Sequence, residues 1–112
     1  MYRHIQKVLF PTSKTRFDAL AKTAVERSLT DIRIRLDSRW RDMTPSQARG
    51  YVRARARQVV RRQAGLLAAE HGYRDQPSID AIDTRSLERS VHLIIHELMA
   101  THQSPPLLRI AG

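Results

Sequence analysis

At 112 residues the chain has the length of a single domain with a modest core. It carries 20 Lys and Arg against 11 Asp and Glu, a formal charge of +9, a balance that favours nucleic acid or another anionic surface as partner. There is no cysteine, which excludes disulfides, thiolate metal sites and thiol nucleophiles. No apolar run approaches the ~20 residues that a membrane-spanning helix needs, and the start, MYRHIQKVLF, is too charged and its apolar patch too short for a signal peptide. A cytoplasmic location with no membrane partner is expected.

The charge is unevenly spread. Residues 1–42 hold ten bases and five acids, 43–69 six bases and no acid, and 70–112 four bases and six acids. The middle segment therefore dominates any basic surface. Seventeen of the twenty bases are arginine, whose planar fork matches phosphate and carboxylate geometry better than an ammonium does.

In chain order, residues 1–12 read as a short arm, followed by three helices and a tail at 103–112. Helix one is expected over about 13–41. Phe17, Ala21, Ala24, Val25, Ser28, Leu29, Ile32, Leu36 and Trp40 recur at three- and four-residue steps, and Ser13 or Thr15 is positioned to cap its start. Trp40 is expected to seal the end of the core.

Helix two is expected over about 44–71. The run TPSQ at 44–47 places Thr44 at the N-cap, Pro45 in the first turn and Gln47 at the capping-box position. His71 and Gly72 supply the stop. Its apolar stripe is Ala48, Val52, Ala56, Val59, Leu66 and Leu67. Helix three, about 79–102, starts between Ser78 and Thr84 and carries Leu87, Val91, Ile94, Ile95 and Leu98; Asp80 and Asp83 suit its first turn. Three amphipathic helices joined by short connections predict an all-α fold, an up-down-up bundle forming one domain over 1–112.

Helix two bears the run YVRARARQVVRR at 51–62. At 100° per residue from Arg49, Arg53, Arg57 and Arg61 fall at about 40°, 80° and 120°, on one flank of the apolar arc. Arg55 and Arg62 fall at about 240° and 220°, on the other flank beside Tyr51. The expected nucleic-acid-binding strip is Arg49, Arg53, Arg57 and Arg61, joined by Arg35 and Arg39 of helix one. It depends on acids elsewhere in the fold leaving those guanidinium groups unquenched. Asn, Gln and Ser are too sparse in the basic helix for a base-reading element, and Tyr51 is its only ring, too few for stacking single-stranded bases. Contact with the phosphate backbone, weakly specific, is therefore the expectation.

The outermost face of helix two carries Ala54, Gln58, Gly65, Ala68 and Ala69. Small residues there admit a second helix, so Ala54, Gln58, Gly65 and Ala69 are the candidate interface of a homo-oligomer, a dimer first. This makes a homo-oligomerising adaptor without a nucleic-acid role the alternative reading.

HLIIHELMATH at 92–102 places His92, His96 and His102 at the spacing of a metzincin zinc-protease motif, which it resembles. Leu93 stands where that family has its general-base glutamate and Met99 where it has the turn glycine, so proteolysis is not expected. Arg85 and Arg89 share the outer face with His92 and His96, and a cation there would be repelled. KVLFPT at 7–12 resembles the start of universal stress proteins over about ten residues, but Ser13 replaces their usual aspartate and no glycine-rich loop follows. With no phosphate loop, no nucleophile elbow and no spaced acid pair outside helix-exposed positions, a non-enzymatic module with no cofactor, no metal and no small-molecule substrate is expected.

Overall fold

The computed structural model describes residues 13–102. The expected arms, 1–12 and 103–112, lie outside the described residues. Helices α1 (Ser13–Arg35), α2 (Pro45–Glu70) and α3 (Gln76–His102) make up nearly all of it, with one 3₁₀ turn at Ser38–Asp42. There is no strand among the described residues. The fold is an all-α helical bundle.

Helix one is shorter than its periodicity predicts. Asp37 leaves the helical region (φ −114°, ψ −171°), and its side chain accepts a hydrogen bond from the Arg39 N–H. A short carboxylate that binds nearby backbone offers the chain an alternative to helix, and Asp37 takes it. The Tyr51 hydroxyl accepts from the Asp37 N–H and closes the corner. Trp40 sits on the 3₁₀ turn and is buried.

TPSQ forms the capping box, with Thr44 Oγ1 accepting from the Gln47 N–H and Gln47 Oε1 from the Thr44 N–H. At the other end, Gly72 takes φ +81°, a left-handed conformation that costs glycine little. Helix α3 begins earlier than expected because Asp75, rather than Asp80 or Asp83, caps it. Its carboxylate accepts from both the Ser78 N–H and the Ser78 hydroxyl, and those bonds, the hydroxyl's first, hold it below the usual aspartate range.

The core is built from three ridges at four-residue steps. They are Leu20, Ala24, Ser28 and Ile32; then Ala48, Val52, Ala56, Val60, Ala64 and Ala68; then Ile82, Ser86, Ser90 and Ile94, all buried. Such ridges seat in the grooves of neighbouring helices, and their Ala and Ser members let the backbones come close. Ser28 and Ser86 satisfy their hydroxyls on the carbonyls of Ala24 and Ile82, each at 2.6 Å.

A four-residue step advances the buried face by about 40° each time, so the stripe on α2 rotates along the helix. This corrects two assignments: Ala68, expected outside, is buried, whereas Leu66, expected inside, is 49% exposed. One cluster joins Ile32 with Val52, Ala56, Val91 and Ile94. A second joins Leu20 with Ala64, Ala68 and Ile82, with Phe17, Tyr73 and Ile79 against it.

Candidate nucleic-acid interface

Because its inner ridge is buried against both neighbours, α2 presents its two arginine flanks to different helices. Arg53 forms an ion pair with Glu88 of α3. The hydrogen bond from Arg53 is the main reason Glu88 lies below the usual glutamate range, with the charges of Arg53 and Arg49 adding to it. The same bond raises Arg53. Arg53, Arg57 and Arg61 line an open groove together with Asp83, Thr84, Leu87 and Glu88. Burial pushes the Asp83 carboxyl up, against the opposing pull of Arg61 and Arg57, and its Oδ1 is enclosed without a hydrogen-bond partner. This flank therefore carries acids of its own, and α3 rather than solvent holds Arg53.

Arg35 and Arg62 line a second open groove of about 560 Å³ between α1 and α2, with Asp31, Gln58, Val59, Gln63 and Leu66. The Arg27–Glu70 ion pair, 3.2 Å, marks the register there. Two turns further along α1, and as many back along α2, Arg35 comes level with Arg62. No ion pair among the described residues involves Arg35, Arg62 or Asp31. Two guanidinium groups against the single Asp31 carboxylate leave this groove with a net positive charge, which a bound anion would offset.

The corner at the end of this flank is also cationic. Arg55 lies over the Tyr51 ring at 5.3 Å and Arg41 over the Trp40 ring at 5.7 Å, contacts that hold guanidinium groups without neutralising them. Arg39 pairs with Asp37 at 3.2 Å. Asp37 is held below the usual aspartate range first by the Arg39 N–H, with the charges of Arg39 and Arg55 contributing.

The expected single strip is thus corrected to two sets. Arg49, Arg53, Arg57 and Arg61 face the acids of α3, while Arg35 and Arg39 belong to the α1 side. Arg62, outside the expected strip, joins Arg35 in the α1–α2 groove. Its helical angle placed it on the flank away from Arg53, but only the α1–α2 register brings it to Arg35.

The outer face of α2 keeps Ala54, Gln58 and Ala69 exposed and Gly65 half-buried, and a Cβ on Gly65 would meet nothing within 4 Å. Ile34, 75% exposed, lies one residue before Arg35. Among the described residues no group of three metal-ligating side chains converges, and no helix is long and apolar enough to cross a membrane. No protein-family model, curated protein or solved structure matches the chain.

Proposed function

We propose that the protein is a small, non-enzymatic, cytoplasmic binding module, an up-down-up three-helix bundle that holds nucleic-acid phosphate backbone in the groove between α1 and α2. The observation that carries the reading is the facing pair Arg35 and Arg62, lining one open groove without an ion-paired acid. Arg55 and Arg41, each stacked on a ring at the corner between α1 and α2, extend the positive surface. Arg49, Arg57 and Arg61 add longer-range attraction, whereas Arg53 is committed to Glu88. Phosphate contacts of this kind position a duplex without reading its sequence.

The test is fluorescence anisotropy with a mixed-sequence duplex over a range of salt. Each phosphate contact contributes about −0.9 to the slope of log K against log salt. The double variant Arg35→Gln, Arg62→Gln is expected to flatten that slope by about 1.8 and to weaken binding, while Arg53→Gln changes both far less. Equal slopes for the double variant and the parent protein refute the assignment of the groove.

The exposed Ile34 and Leu66 favour a second reading, in which the same side of the molecule meets another copy of the chain. Light scattering decides it. The parent protein would be a dimer, and Ile34→Lys or Gly65→Arg would release monomers; a parent protein that is monomeric at high concentration eliminates this reading.

A further inference from the structure

We infer that His92 and His96 form a two-imidazole chelate for a late first-row divalent cation, with Cu²⁺ preferred over Ni²⁺ and Zn²⁺. The rings lie one helical turn apart on α3, nearly parallel at 19°, with centroids 5.8 Å apart, and both residues are exposed. Two metal–nitrogen bonds of about 2.0–2.1 Å need donor nitrogens about 2.9 Å apart at the right angle of a tetragonal copper site, or about 3.4 Å at a tetrahedral zinc angle. With centroids 5.8 Å apart, rotation about the side-chain bonds has to bring one nitrogen of each ring to such a separation. The backbone beneath them is fixed, since Val91 and Ile94 are buried in the core on the opposite side of the helix. The helix therefore fixes the one-turn spacing of the two side chains before any ion arrives, and chelation costs only their rotamer freedom.

The surroundings define the donor set. Glu88, one turn before His92, is engaged by Arg53, and Glu97, next to His96, is engaged by Arg33. Neither carboxylate is available to the ion, which leaves two neutral nitrogen donors. Such donors favour copper, nickel and zinc over magnesium or calcium, and the affinity order among them peaks at copper.

The sequence pattern set two arginines against a cation on this face, and the structure removes one of them. Arg85 pairs with Asp18 at 2.9 Å and lies over the Phe17 ring at 5.8 Å, drawn towards α1. Arg89 is the cation that remains. The coordination positions not taken by the two imidazoles stay open to water or to a donor from a second molecule.

Isothermal titration calorimetry with CuCl₂ and with ZnCl₂ alone tests the site on the full chain, with far-UV circular dichroism confirming that each variant is folded. One ion per chain is expected, copper binding more tightly than zinc. His92→Ala and His96→Ala each reduce the chelate to a single contact and weaken binding on the order of tenfold or more, and His71→Ala leaves it unchanged. No binding by the parent protein overturns the inference. So does a His92→Ala, His96→Ala double variant that retains the parent affinity, because the ion would then sit elsewhere on the chain.

Discussion

Leu66 and Leu67 are neighbours on α2 with opposite environments, 49% and 1% exposed. Changing either to alanine removes the same atoms, so any difference in stability reports burial alone. For Leu67→Ala, the lost transfer energy and the cavity left behind together cost about 3 kcal/mol. A fully buried leucine contributes about 2 kcal/mol, so half-exposed Leu66 contributes about 1, of which alanine's better helix propensity returns a few tenths. The described residues, 13–102, number 90. At about 2.1 cal/mol/K per residue their unfolding entropy is roughly 0.19 kcal/mol/K. Leu67→Ala is then expected to lower Tm by about 16 °C and Leu66→Ala by no more than about 5 °C. Differential scanning calorimetry, checked by guanidinium unfolding, gives both values. Equal losses, or a larger loss for Leu66→Ala at every protein concentration, would refute the rotation of the buried face along α2. A Leu66→Ala loss that grows with concentration would point instead to a partner copy covering that side chain.

Two further predictions concern polar groups in and beside the core. Ser90 is buried and its hydroxyl has no hydrogen-bond partner among the described residues, a state that costs about 1–3 kcal/mol. Ser90→Ala is expected to raise Tm, and a loss of stability in thermal melts would mean that the hydroxyl is satisfied after all. Glu88 and Asp83 have opposite pH signatures. Glu88, held low by Arg53, stabilises the fold above the ordinary glutamate range and loses that contribution as pH falls through its folded value. Asp83, pushed up by burial, is favoured by the fold in its protonated form, so stability declines as pH rises from the ordinary aspartate range through its folded value. Unfolding free energies from acid to neutral pH should show a shallower acid limb in Glu88→Gln. Asp83→Asn should lose the decline on the rising side, and identical profiles for that variant and the parent would contradict the burial of the carboxyl.

What the chain by itself determined is local. The apolar period marked three helices, TPSQ and Gly72 marked both ends of α2, and the acid-free run at 43–69 marked the basic helix, because periodicity, capping and charge are properties of neighbouring residues. Helix one was over-extended because Asp37 competes for the backbone only once Tyr51, fourteen residues on, anchors the corner. The start of α3 lies ahead of its apolar pattern, at a cap that Asp75 and Ser78 form between themselves.

The arginines were legible as flanking the core, but not as quenched or unquenched. That depends on Glu88 and Asp83 facing one flank, on Arg35 and Asp31 facing the other, and on the α1–α2 register that the Arg27–Glu70 pair marks. Charge pairing acts over a few ångströms between residues remote in sequence, and the distance is decided by how the three helices pack. The inward rotation that hides Ala68 and exposes Leu66 has the same origin: the buried face of a helix follows its neighbours, and they lie elsewhere in the chain.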